Sequence, residues 1–337
     1  MGVVPLISTL VPLFSIILIG YLASHFPPFR GNAQKVVNDF VFYIALPALL
    51  FGAVADVGLS GGISGAFIGA NLANLLIGTG IGLAGGLLLF RRTLLRALAT
   101  SMLAGFGNVV YLGVPLLVSA AGQQAVLPVA LGQLLHNMFF MVLYPLCAAL
   151  AVRRARAADD GRGADPAGRG ERAPLPEPKG VGRAVLRSVV ANPVTLSMAA
   201  GLLFALLGLR LSGPVADTVQ MLGGAAAPAA LFAVGLTLRR AVGALREGSV
   251  SASELGFTVA VKLAIMPLTA FALVTWVFPM SAIWAFTTVV MSALPNAAVA
   301  YVLVQQQDSG ARQAAAAVVV SSVLSLAAIP AAGLLIS

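Results

Sequence analysis

Charge is what this chain has least of. Only 9% of its 337 residues are Asp, Glu, Lys or Arg, where a soluble domain carries roughly 25%. At 59% hydrophobic residues and a mean hydropathy of +0.99, most of the chain is expected to be solvated by lipid. A single cysteine, Cys147, excludes a disulfide within the chain and a cysteine metal centre. The sequence also lacks a His-Glu-x-x-His pair, a Walker lysine loop and a glycine-rich dinucleotide fingerprint. Zinc hydrolysis, ATP-driven transport and nicotinamide chemistry therefore have no residues to run on. The expectation is a protein that is not an enzyme and holds no cofactor and no metal.

The apolar runs give candidate spans near 4–24, 36–55, 65–90, 99–120 and 126–151. A second set lies near 190–209, 218–238, 255–278, 282–304 and 313–335. A net charge of +9 could suggest nucleic acid, but its distribution excludes that. Nearly all cations follow odd-numbered spans: Arg30 and Lys35, then Arg91, Arg92 and Arg96, then Arg153 through Arg187, then Arg239, Arg240 and Arg246, and finally Arg312. The opposite loops hold Arg210 alone. By the positive-inside rule both termini face the periplasm. The first apolar run has no basic segment before it and is followed by further spans, so it reads as a helix and not a cleaved signal. Arg-, Ala- and Gly-rich composition points to a bacterium, and the expected location is its cytoplasmic membrane.

Residues 153–188 form the one long polar stretch, mixed in charge and rich in Pro and Gly. Such a segment cannot bury enough apolar surface to offset its ordering entropy, and it reads as a cytoplasmic, disordered linker. It separates a first five-span unit, 1–152, from a second, 189–337. Five is odd, so the second unit must enter the membrane from the other side. The two are expected to be inverted repeats.

The units echo each other in particular residues. Leu46-Pro47-Ala48-Leu49-Leu50-Phe51 matches Ala227-Pro228-Ala229-Ala230-Leu231-Phe232, and each puts a proline inside a would-be membrane helix. Proline removes a backbone donor, and lipid cannot resatisfy the freed carbonyl. The fourth span reads Gly105-Phe106-Gly107-Asn108-Val109-Val110-Tyr111-Leu112-Gly113-Val114-Pro115. The ninth reads Ser292-Ala293-Leu294-Pro295-Asn296-Ala297-Ala298-Val299-Ala300-Tyr301. Gly and Pro in mid-span favour a broken helix, with an amide and a phenol beside each break. Half-helix ends carry partial charge of either sign and suit a bound ion. The bland alternative is a kinked helix whose Asn bonds a neighbouring backbone. The candidate binding residues are Asn108, Tyr111, Asn296 and Tyr301, with Gly113, Pro115, Pro295 and Ala300 shaping the breaks. Asn137, in the fifth span, and Lys262, in the eighth, complete the set. A lysine at that depth either attracts an anion or snorkels to the interface.

These residues together resemble the auxin efflux carrier family, which includes bacterial permeases and the plant PIN auxin exporters. The resemblance is carried by Val11-Pro12-Leu13-Phe14 with Gly20-Tyr21, by Tyr43 through Phe51, and by Asn108 with Gly113-Val114-Pro115. In the second half it is carried by Asn192-Pro193, Ala227 to Gly235, Lys262 with Pro267, and Leu294-Pro295 through Tyr301. It implies an all-α membrane fold of ten transmembrane helices with crossing helices 4 and 9, shared with bile-acid symporters. It further implies a scaffold from helices 1, 2, 6 and 7, containing Pro47 and Pro228, and a mobile transport domain from helices 3–5 and 8–10. The implied activity is elevator-type transport of a small organic anion such as malonate, malate or an auxin-like acid by a homodimer. Coupling to H+ or Na+ stays open. One departure stands out: PIN-type members carry a second proline where this chain has Ala300.

Other residues have ordinary readings. Gly78, Gly82 and Gly86 recur every four residues, a stripe for close helix packing. Trp276 and Trp284 read as interfacial anchors. His136 is either a proton relay or a buried imidazole bonded to a carbonyl. A sodium-coupled bile-acid-type symporter is the alternative within transport. A rhomboid-like serine protease is the remote one, from Gly58-Leu59-Ser60-Gly61 and Gly62-Ile63-Ser64-Gly65. That pattern arises by chance in a Gly/Ser-rich loop.

Overall fold

The computed structural model describes residues 3–56, 64–144, 146–148, 150–151, 193–246, 250–297, 300–301, 303–304 and 310–336. Among them the secondary structure is helical, apart from one isolated antiparallel backbone bridge between Gly107 and Asn296. The linker 153–188 and the Gly58–Gly61 motif lie outside the described residues.

Helix α1 is Val3–Ala23. Helix α2 runs Ala33–Phe40, a π turn Val41–Ala45, and Leu46–Asp56. Helix α3 is Gly65–Ala84 with a closing π turn Gly85–Leu89. Helix α4, Leu94–Gly105, stops short; a π turn Val109–Gly113 then leads into α5, Val114–Ala121. After a 3-10 turn Gly122–Ala125 comes α6, Val126–Met138, extended by a π turn Phe139–Leu143. Helix α7 is Pro193–Leu206. Helix α8 joins Gly213–Gly224 to Ala226–Arg246. Helix α9 begins Ala252–Ala260, passes a π turn Val261–Ile265, and continues as Met266–Ala272 and Leu273–Val277. Helix α10 is Ala282–Ser292, and α11 is Ala311–Ile336.

Among the described residues six helical stretches are long and apolar enough to cross a bilayer: Ala33–Gly52, Gly65–Leu89, Tyr111–Met138, Gly213–Leu236, Ala252–Val277 and Ala311–Ile336. The stretch Tyr111–Met138 contains Gly122, whose φ of 70° turns the backbone between α5 and α6. By contrast α4 and α10 have 12 and 11 residues. At 1.5 Å per residue each reaches roughly half of the ~30 Å hydrocarbon core. Both stop where the sequence turns to Gly and Pro, at Gly105-Phe106-Gly107 and just before Pro295.

Proline acts here by widening the preceding turn more than by breaking the helix. Pro47, Pro115 and Pro267 each follow a π turn by one residue, and Leu46, Val114 and Met266 donate five residues back, to Val41, Val109 and Val261. A proline ring clashes with the carbonyl four residues earlier, and a π turn moves that carbonyl aside. Pro228 takes another route. Helix α8 is interrupted at Ala225, which places Pro228 in the first turn of the second segment, where a missing N–H costs little.

Small residues set the close approaches. A methyl at Gly235 would sit 2.7 Å from Tyr21 N and 2.8 Å from Gly20 Cα, so α1 and α8 touch backbone to backbone. A methyl at Gly201 would lie 2.8 Å from Phe51 O, and one at Gly223 2.9 Å from Leu49 Cα, which seats α7 and α8 on α2. The glycine stripe of α3 does as its spacing predicts. Gly78 faces Met266 of α9, while Gly82 and Gly86 face Ala104, Ser101 and Ala97 of α4. Large apolar side chains such as Leu88, Leu206, Met221, Trp276 and Val323 stay exposed on the outside. In water this would be an aggregation surface; it is the face a bilayer covers. Trp284 packs edge-on against Phe67, with ring centroids 4.9 Å apart.

Candidate functional site

The two breaks cross. After α4 the chain turns extended at Phe106 (φ −80°, ψ 99°), and after α10 it does so around Pro295 and Asn296. Asn108 N donates to Pro295 O at 2.8 Å, and Ala297 N donates to Phe106 O at 3.0 Å. Backbone groups freed by one broken helix are thereby satisfied by the other, as burial in lipid requires.

Side chains complete the accounting. The Asn296 side-chain amide donates to Leu103 O, near the C-terminus of α4, and its backbone N donates to Ser321 Oγ of α11 at 3.0 Å. Asn108 Oδ1 accepts from Tyr111 N at 3.4 Å, and Asn108 O accepts from Leu112 N and Gly113 N. The two asparagines therefore serve the helix ends that the sequence exposes. Gly113 lies close against Leu294 of the other break: a methyl there would come within 2.6 Å of Leu294 Cδ1, so that side chain would have to shift.

Lys262 reaches the same place from α9. Its residue is 0% exposed, and Nζ donates to Ser292 O at 2.7 Å, at the C-terminus of α10. A cation is favoured there by the helix dipole. A methyl at Gly107 would lie 3.3 Å from this Nζ, so the ammonium stands directly against the fourth-span break. Among the described residues the one ion pair is Arg92–Glu254, and no carboxylate meets Lys262. Snorkelling is thus excluded as an account of this lysine: it points inward.

A polar layer lies behind the crossing on α6 and α3. His136 Nδ1 is 2.9 Å from Gly132 O, while its buried Nε2 has no partner. Both amide atoms of the fully buried Gln133 lack partners, as do Asn74 Oδ1 and Asn296 Oδ1. Such atoms call for ordered water or a ligand. Phe140, one turn beyond His136, stacks on Phe106 at 4.5 Å between ring centroids.

Of the residues singled out from sequence, Asn108, Asn296, Gly113, Pro295 and Lys262 come together at the crossing. Tyr111 sits beside them but packs against the apolar cluster of α2 and α8. Pro115 and Ala300 are buried in the flanking helix walls. Tyr301 packs in a different apolar cluster, around Phe106 and Met266. Asn137 is half-buried, whereas Gln133 and His136 carry the buried polarity of α6. Gln133 went unnoticed in the sequence reading; its signal was a glutamine one turn before a histidine in an apolar run. Ser64 of the protease-like motif is a helix cap, accepting from Phe67 N at 3.2 Å.

These features define a multi-pass membrane protein with a polar centre built from broken helices. The family model described as "Membrane transport protein" matches residues 5–332, and the chain belongs to that family, that of the auxin efflux carriers. A protein named "Putative malonate transporter" from Rhizobium meliloti (strain 1021) is 29% identical over 318 residues, covering 94% of this chain and 92% of that relative.

Proposed function

We propose that the chain is a secondary transporter that carries a small organic anion, a dicarboxylate of the malonate or malate kind, across the bacterial cytoplasmic membrane. The observation that carries this reading is Lys262: an ammonium buried against two crossed helix breaks with no carboxylate beside it among the described residues. A charge at such depth costs about 2.5–3.5 kcal/mol or more. An arriving carboxylate supplies the missing counter-charge, and the amides of Asn108 and Asn296 supply directional contacts next to it. The name of the Rhizobium meliloti relative favours malonate among the dicarboxylates.

In this reading the chain has ten spans in two inverted repeats, with α4–α5 as the fourth span and α10 with the chain after Ala300 as the ninth. Support comes from packing: α1 lies along α8 and α7 lies along α2, and an inverted repeat interchanges those two pairs. Helices α1, α2, α7 and α8 form the scaffold and the dimer contact, and the remainder moves as an elevator. Tyr111 and its apolar partners on α2 and α8 lie on the sliding surface. The basic loops face the cytoplasm and both termini the periplasm. Sodium coupling is the alternative; of the carbonyls at the end of α10, Ser292 O already accepts from Lys262.

The test is uptake of radiolabelled small carboxylates into proteoliposomes, with and without imposed proton and sodium gradients. Saturable uptake of a dicarboxylate is expected. Absence of saturable uptake for every carboxylate, with the protein shown to be inserted, overturns the proposal.

A further inference from the structure

A second polar chamber lies away from the crossing, at the basic end of the molecule. It is a cavity of about 700 Å³ between the starts of α4, α9 and α11, within the size range of small-molecule sites. Arg92, Arg96 and Arg312 line it, with Glu254 as the one acid among its lining residues. That acid is fully occupied. Glu254 Oε2 accepts from Arg92 Nε at 3.0 Å and Nη2 at 2.7 Å, and Oε1 accepts from Thr100 Oγ1 at 2.9 Å. Arg92 is thereby neutralised, while Arg96 and Arg312 have no acidic partner among the described residues. Among the described lining residues positive charge is in excess, three arginines to one glutamate.

The backbone adds to it in the same direction. The starts of α9 and α11 stand at the cavity wall and present the positive ends of their dipoles, with Ser251 Oγ capping α9 by accepting from Glu254 N at 3.4 Å. Helix α4 runs along the wall through Arg96, Ala99, Thr100 and Leu103. The starts of α9 and α11 are already tied together, because Gln313 Nε2 donates to Ser251 O at 3.2 Å. Leu103 also lines the cavity, and its carbonyl accepts the Asn296 amide.

We infer that this cavity binds a compact phosphate-bearing anion, held between Arg96 and Arg312. Its source is either free phosphate or the headgroup of an anionic lipid, since guanidinium forks match phosphate oxygens in both. Occupancy ties the starts of three helices into one unit, and α4 carries that tie to the crossing through Leu103.

The test uses the full-length protein in a neutral detergent and follows its thermal unfolding. The probes are inorganic phosphate, dioctanoyl phosphatidylglycerol and, as a neutral match, dioctanoyl phosphatidylcholine. A saturable rise of several degrees is expected with phosphate, phosphatidylglycerol or both, and none with phosphatidylcholine. Response to phosphate assigns a soluble anion; response to phosphatidylglycerol alone assigns a lipid. The double variant Arg96→Gln/Arg312→Gln should lose at least tenfold in apparent affinity with its anion-free Tm unchanged. If that variant fails to fold, Arg96→Lys/Arg312→Lys serves: charge persists but the fork is lost, so affinity falls to an intermediate value. No response to either anion overturns the inference, as does an unaltered affinity in the substituted protein.

Discussion

Lys262 and Ser292 are joined by a 2.7 Å hydrogen bond, ammonium to backbone carbonyl, that fastens α9 to the C-terminal end of α10. The bond answers one question, how α10 satisfies its terminal carbonyl, and raises another, what balances the charge. If substrate does, Lys262→Gln keeps a donor for Ser292 O but removes the attraction, so the apparent KM for a dicarboxylate should rise at least tenfold. Lys262→Arg should recover only part, because a planar fork does not fit where a point charge sat. Saturation kinetics in proteoliposomes with quantified insertion decide it; an unchanged KM in the glutamine variant removes Lys262 from the site.

The two crossing asparagines have separable roles. Asn296→Ala leaves Leu103 O without its side-chain donor, a buried loss of about 1–3 kcal/mol. Asn108→Ala removes an N-cap on the turn before α5, worth about 1 kcal/mol. Transport should fall at least tenfold in both, with Asn296→Ala lowering Tm by more than Asn108→Ala. Uptake and thermal unfolding on the same preparations check this, and equal Tm values with normal uptake would refute it.

Much of this was readable from residue order because lipid enforces simple rules. A break with Gly and Pro in mid-span must be resatisfied by something, so segments 105–115 and 292–301 announced a special centre. The glycine stripe on α3 announced its packing for the same reason. What stayed hidden depended on direction around a helix. Lys262 could have snorkelled or turned inward, and only the position of α10 decides that. Asn137 and His136 are adjacent in sequence, yet one lies half-exposed and the other is buried beside Gln133. A one-residue change of face is 100° of helix, and an apolar run without a clear polar stripe does not report it. Pro47 pointed to a break, whereas a π turn absorbs the ring and the helix continues.

The contact between α1 and α8 is a backbone contact, which leaves no slack. Gly20 and Gly235 lie against each other, and a side chain at 235 would collide with Tyr21 N and Gly20 Cα. Gly235→Leu should therefore force α1 and α8 apart at a cost of about 1–3 kcal/mol or more, lowering Tm. Gly256→Ala, at a glycine with open space around it, should leave Tm unchanged or slightly raised. Parallel unfolding curves in detergent test the pair, and equal effects would mean that the α1–α8 approach does not limit stability.

Orientation rests on the basic loops, and the loops support one another at a common end. Arg239, at the far end of α8, donates to Ser24 O just after α1. Arg92 after α3 pairs with Glu254 at the start of α9, and Gln313 at the start of α11 reaches Ser251. These are the loops that the charge distribution assigns to one side. In a Cys147→Ser background, Asp165→Cys should be protected from a membrane-impermeant thiol reagent on intact spheroplasts and should react once the membrane is opened. Ser212→Cys, before α8 on the other side, should react in both conditions. Labelling of position 165 on intact spheroplasts would invert the topology, and with it the assignment of the basic cavity to the cytoplasmic face.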